Sequence, residues 1–234
     1  MGILQLYPQE EFYKSVSPQS FCQGQFCWLP VPHINPIPCI LDVQRNLPEQ
    51  HDVVKFEFRR ADQPNDFRTN DRNLPIKRLN LRSNEELLVQ RAKRRPGIII
   101  SSELDLYPDV EELLREKRKS HLQEDSLFII PCYSIESVTS LSGFPPEMVT
   151  KIRCLFYRQF FFFPTFKKID EGVARFDRIQ VVVSRDRAAI QPMEIALADE
   201  VFNLFVGMFI YSTTGIEDGN IAAARAIVKE AYPG

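Results

Sequence analysis

Apolar residues in the middle of this chain come in short runs bounded by turn formers, and that spacing suits sheets far better than helices. Gly97–Ser101 reads GIIIS, Ser126–Pro131 reads SLFIIP, and Val173–Val183 reads VARFDRIQVVV. β-Branched and aliphatic side chains in such runs pack well on a pleated surface. Asp52–Arg60 (DVVKFEFRR) adds an alternating pattern, with Val54, Phe56 and Phe58 on one side and Lys55, Glu57 and Arg59 on the other. That is the period of a half-buried strand. The middle of the chain is therefore expected to be β.

The flanks follow different rules. FCWLPVPHINPIPCI carries Pro30, Pro32, Pro36 and Pro38. Prolines forbid helix and central-strand pairing, so an extended edge or clamp is expected there. ADQPNDFRTNDRNLP has turn formers without apolar period and reads as a solvated loop. RAKRRP, between Leu87–Gln90 and Gly97–Ser101, reads as a basic loop feeding a buried strand. Tyr107–Gln123 opens with Pro108 and Asp109 and carries Glu111 four residues before Arg115, which predicts a surface helix. After Pro192 the apolar spacing of Ile195, Leu197, Val201, Phe202, Phe205, Met208 and Phe209 predicts a helix ended by Gly215, and a second helix spans Ile221–Ala231. Phe160–Phe163 is read as buried packing, against the alternative of base stacking on exposed rings.

These elements add up to an α+β protein. One domain over residues 1–234 is expected, with a proline-rich extension over about residues 1–80 and C-terminal helices over about residues 192–231. Apolar residues at 44% and charged residues at 26% are ordinary globular composition. A net charge of −2 means that any nucleic-acid binding must be local. Five cysteines without a secretory signal point to reduced thiols and a cytoplasmic location. The most apolar stretch, Val201–Tyr211, has eleven residues, against roughly 20 for a bilayer span. It is expected in the core, with no membrane partner.

Several chemistries are absent as motifs. There is no GxGxxG, no phosphate-binding loop and no GxSxG, and the histidines are His33, His51 and His121. No cofactor is expected. Cys22, Cys27, His33 and Cys39 offer zinc-type ligands, but their spacing lacks the tight Cys-x2-4-Cys turns of structural zinc sites. Buried free cysteines are the plainer reading, and a metal at these four stays open.

Three segments taken together carry a pattern: KRRPGIIIS (Lys93–Ser101), LFIIPCYS (Leu127–Ser134) and GVARFDRIQVVV (Gly172–Val183). In that order they resemble the PemK/MazF family of toxin endoribonucleases. The family's small SH3-like barrel has a strand opening with Arg-Pro, a strand ending in Pro then Thr and Ser, and a strand reading Arg-x-Asp-Gln. The resemblance covers about residues 90–211, interrupted by the charged helix and the phenylalanine segment. It puts Arg95 and Pro96 at the Arg-Pro, Pro131 and Ser134 at the turn, and Arg175 and Asp177 at the acid/base pair. Tyr133 stands where Thr is expected, Arg178 replaces Gln, and Gln180 replaces the Arg that commonly follows.

The resemblance implies metal-independent RNA cleavage by 2′-hydroxyl attack, a homodimer and an antitoxin partner. Such cleavage needs a base, an acid and cations for the phosphorane. Residues two apart on a strand share a face, so Arg175 and Asp177 are expected to flank one phosphate. Asp177 is the expected base, Arg95 stabilises charge and Ser134 donates a hydrogen bond. Arg91, Lys93, Arg94 and Tyr133 are the candidate RNA-binding residues, Lys and Arg neutralising phosphates while tyrosine stacks bases. The rival reading is a non-catalytic barrel that binds protein or nucleic acid in a larger assembly, with Arg175 and Asp177 an ordinary ion pair.

Overall fold

A computed structural model describes residues 2–19, 21–34, 37–44, 55–62, 66, 85–101, 108–117, 126–135, 143–167, 169–183, 190–230 and 232. Its strands are β1 (Tyr13–Ser15), β2 (Gln25–Pro32), β3 (Cys39–Gln44), β4 (Lys55–Arg60), β5 (Leu88–Val89), β6 (Ala92–Ser101), β7 (Ser126–Ser134), β8 (Phe160–Phe163), β9 (Gly172–Arg175), β10 (Gln180–Val183) and β11 (Gln191–Leu197). The helices are α1 (Pro108–Glu116), α2 (Pro146–Arg153), α3 (Asp199–Thr214) and α4 (Gly219–Glu230). The fold is mixed α and β, and every pairing with a described register is antiparallel. Among the described residues no helix is long and apolar enough to cross a membrane.

The chain gathers into two compact units, residues 1–31 with 94–234, and residues 32–93. In the first unit the strand order is β1-β11-β2-β6-β7-β9-β8, and β10 pairs with β7. Closure into a barrel requires the end strands to meet. Among the described residues no closed barrel is detected, because the path ends at β1 and β8.

β2 lies between β11 and β6 despite its prolines, which corrects the edge expectation. The β11 ladder covers only Gln25 to Trp28, so Pro30 falls beyond it. All of RAKRRP but Arg91 is part of β6 rather than a loop. Gln191–Leu197 is also strand, and the helix begins only at Asp199, two residues beyond Leu197. A seven-residue segment of mixed polarity fits either period, and pairing with β1 and β2 decides it. Gly215 does end α3, at φ 75°, with its N–H donating to the Tyr211 carbonyl. The expected helix over Tyr107–Gln123 is helical over Pro108–Glu116, and residues 118–123 lie outside the described residues.

α3 lays Val201, Leu204, Phe205 and Met208 onto the sheet, where they meet the phenylalanine strand. Phe160 to Phe163 are all buried, with Phe161 edge-on to Phe205 at 5.1 Å and Phe163 edge-on to Phe26 at 5.6 Å. The run is core, as read from the sequence, and no ring in it is free to stack bases. A smaller cluster joins Cys27, Leu29 and Val31 of β2 with Ile99, Leu127, Ile129 and Ile190.

The second unit carries a three-stranded sheet in the order β4-β3-β5. Phe56 and Phe58 share one face of β4, as alternation predicts, but they are 63% and 66% exposed. Burial needs a second layer, so the expectation of a half-buried strand fails on burial and holds on strand type over Lys55–Arg60. Residues 51–54, and most of the expected loop at 61–75, lie outside the described residues. Asp66 is buried within that stretch, and Arg59 donates to both of its oxygens, at 3.1 and 2.6 Å. These bonds hold the Asp66 carboxyl below its ordinary value.

Candidate nucleic-acid interface

β7 organises the site because it has a different neighbour along each edge. β6 pairs along one edge with Gly97 opposite Pro131, and continuing that register sets Arg95 across from Tyr133. β9 pairs along the other edge with Val173 opposite Tyr133, and β8 in turn sets Phe160 opposite Arg175. Two guanidinium groups therefore reach one phenol ring. Arg95 lies 4.3 Å from the Tyr133 ring centre and Arg175 lies 5.4 Å from it. Arg175 also rests 5.6 Å from the Phe160 ring. Stacking of this kind contributes about 0.5–1 kcal/mol per contact at exposed sites.

Arg175 and Asp177 do meet, but by a different route from the one the sequence suggested. β9 ends at Arg175, and Phe176–Arg178 forms a 3-10 turn that breaks the expected continuous strand over Val173–Val183. Phe176 is buried and turns toward α3, 5.1 Å from Phe205, so the chain must bend there. The bend brings Asp177 back to Arg175, whose Nε donates to Oδ1 at 3.0 Å and Nη2 to Oδ2 at 2.5 Å. Arg178 Nε approaches the same Oδ2 at 3.3 Å. The Asp177 hydrogen bonds raise the Arg175 pKa above its ordinary value, so this guanidinium stays charged.

Both partners remain accessible, with the side chains of Arg175 and Asp177 25% and 39% exposed. Among the described residues no carboxylate pairs with Arg95, which leaves its charge available. Ser134 is exposed but follows Tyr133 directly on β7, and alternation sends it to the opposite face. The structure thus brings together Arg95, Tyr133, Arg175 and Asp177 and leaves Ser134 out of the stack.

The remaining candidates divide. Arg94 packs 4.9 Å from the Trp28 ring and donates to Gln191 Oε1 at 2.6 Å, on the face of β6 away from Tyr133, and so is not part of the stack. Arg91 and Lys93 are exposed residues of the second unit. Cys22 and Cys27 belong to the first unit, His33 and Cys39 to the second, and Cys27 is buried in the β2 core. Among the described residues no three His, Cys, Asp or Glu side chains gather as a metal would require. All five cysteines are free thiols. Sequence reasoning missed Trp28 and Gln191, and it gave Phe160 and Arg178 no role in the site. Each carries an ordinary residue type whose relevance depends on strand register.

The assembled chemistry is a partly exposed aromatic ring, two permanent cations and one carboxylate that orients the second of them. Such a set can hold a phosphodiester between guanidinium groups and present a ring edge to a base. Comparison with protein-family models, characterised proteins and solved structures finds no match to this chain.

Proposed function

We propose that the first unit binds single-stranded RNA, with Arg95 and Arg175 neutralising phosphates beside the Tyr133 ring and Asp177 fixing the Arg175 guanidinium. The observation that carries this reading is the placement of two guanidinium groups on one accessible tyrosine, 4.3 and 5.4 Å from its ring centre. A net charge of −2 fits a local patch rather than general affinity for polyanions. The test is fluorescence anisotropy of a labelled single-stranded RNA across a salt series. Arg95→Ala and Arg175→Ala should each weaken binding and each lower the slope of log K against log salt by about 0.7. Unchanged affinity and slope in both variants would overturn the reading.

The second reading is metal-independent RNA cleavage in the manner of the PemK/MazF toxins, on an SH3-like barrel, as a cytoplasmic homodimer held in check by an antitoxin. What favours it is the accessible Arg175–Asp177 pair next to the same phosphate position. In the free protein both Asp177 oxygens accept guanidinium hydrogen bonds or charge. Acting as the base would require one of those cations to move onto the phosphate. Cleavage in EDTA by the parent chain, lost in Asp177→Asn and in Arg175→Ala, would support this reading. Equal activity in all three would remove it while leaving the binding proposal standing.

A further inference from the structure

A cavity of about 290 Å³ lies in the first unit, on the other side of β6 from the tyrosine stack. Arg94 and Arg95 are neighbours on β6, so their side chains leave opposite faces, one toward Trp28 and one toward Tyr133. Trp28, Phe166 and Met193 give the cavity apolar walls, and Lys167, Gln191 and Glu194 supply its polar groups. Its volume sits at the small end of ligand sites, suited to a single nucleoside rather than an extended chain.

Two features fix what these polar groups can do. Arg94 can only donate, so the Gln191 atom it touches at 2.6 Å is the amide oxygen. The Gln191 Nε2 is thereby left as a donor. Lys167 is held at φ 49°, a left-handed conformation that non-glycine residues rarely adopt. Reciprocal backbone bonds between Phe166 and Ile169, both 2.9 Å, enforce that turn and set an exposed lysine in the cavity lining. An irregularity in β11 between Pro192 and Ala196 allows Gln191 and Glu194 to line the same space.

An aromatic wall, one amide donor, one carboxylate and one cation match the groups of a single nucleotide. We propose that this cavity binds a guanine nucleotide. The base lies against Trp28, its O6 accepts from Gln191 Nε2, its N1–H and N2–H donate to the Glu194 carboxylate, and its phosphate meets Lys167, whose ammonium rests 5.2 Å from the Phe166 ring centre. Adenine presents an acceptor at N1 and lacks O6, so it would set an acceptor against Glu194 and waste the Gln191 donor. Uracil offers one N–H where guanine offers two. The proposal is independent of RNA binding at Tyr133, since it uses other residues on the other face.

Trp28 is the chain's single tryptophan and lines this cavity, so its fluorescence, excited at a wavelength tyrosine does not absorb and read in an Arg95→Ala background that removes the RNA stack, reports binding here. GMP, AMP and UMP titrated into the full chain should quench it with GMP favoured by about tenfold or more. Glu194→Gln should abolish the preference, and Lys167→Ala should weaken GMP while leaving guanosine unchanged. The trinucleotides UGU and UAU distinguish a free nucleotide from a guanine within a strand. Saturable quenching by UGU but by neither UAU nor GMP assigns the base to a strand and keeps the site. Absence of saturable quenching by both GMP and UGU up to about 1 mM, equal response to all bases, or parent-like guanine preference in a folded Glu194→Gln chain would each overturn it.

Discussion

Gly172 is where packing and the candidate interface constrain each other most tightly. It pairs with Ser134 of β7 on one side and Phe163 of β8 on the other. A Cβ at this position would lie 2.4 Å from Phe163 Cζ, 2.9 Å from Phe163 Cε2 and 2.9 Å from the Tyr133 carbonyl oxygen. Carbon atoms pack at about 3.5–4.0 Å, so roughly 1 Å of movement is needed. Neither neighbour can give way freely. Phe163 is fully buried against Phe26, and the oxygen belongs to the backbone of β7. Overpacking of this kind costs about 1–3 kcal/mol, against about 0.4–1 kcal/mol regained from the less flexible unfolded chain. Gly172→Ala should therefore lose about 1–2 kcal/mol, which for a chain of this length lowers Tm by about 2–8 °C. Gly219→Ala is the matched control. Nothing lies within 4 Å of its added Cβ at the start of α4, and it should be neutral or slightly stabilising. Urea and thermal unfolding read both. Because the added Cβ presses on the Tyr133 backbone oxygen, RNA affinity of the folded Gly172→Ala chain should also fall. A Gly172→Ala protein within about 0.5 kcal/mol of the parent would refute the argument that this contact is rigid.

Two further perturbations probe the core. Arg225 is 7% exposed, donates Nε to the Leu155 carbonyl at 3.0 Å, pairs with Glu217 and stacks on Tyr211 at 4.8 Å. Arg225→Met keeps the stem but leaves the buried Leu155 carbonyl without its donor, while the exposed Glu217 turns to water, so urea denaturation should show a loss of about 1–2 kcal/mol; a neutral result would mean the side chain only fills space. Burial pushes the Cys27 thiol up from 9.0 to about 12. Above pH 9 the unfolded chain gives up a proton that the native state keeps, so this contribution is complete below pH 9 and drains away between pH 9 and about pH 12. The stability lost between pH 8 and pH 10.5 should be smaller in Cys27→Val by about 2 kcal/mol, and an identical pH dependence in both proteins would count against a desolvated thiol.

Local signals carried much of the fold. Gly215 ends α3 because the left-handed conformation needed after the last turn suits glycine, and that is readable from one residue in its apolar context. The phenylalanine run declared its burial through its composition, which a solvated loop would not tolerate. Segments of ambiguous period were harder. Gln191–Leu197 carries apolar residues compatible with a helix, and only pairing with β1 and β2 makes it strand. Phe56 and Phe58 alternate as a half-buried strand should, yet alternation gives the face and not what covers it.

The sequence by itself determined which cations and carboxylates were available, that the middle of the chain would pair as strands, and where the last long helix stops. Each of those depends on neighbours within a few positions. Only the tertiary structure decided that Arg95 and Arg175, eighty positions apart, would share the Tyr133 ring, that a turn around buried Phe176 would return Asp177 to Arg175, and that Ser134 would face away. The physical reason is register. A shift of one residue in the pairing of β6 or β9 with β7 sends each side chain to the other face. That pairing decides which residues of each strand are buried, Ile98 and Ile130 in the cluster with α3 and Ile99, Leu127 and Ile129 in the smaller one, and burial of this kind is not a local preference of the strands themselves.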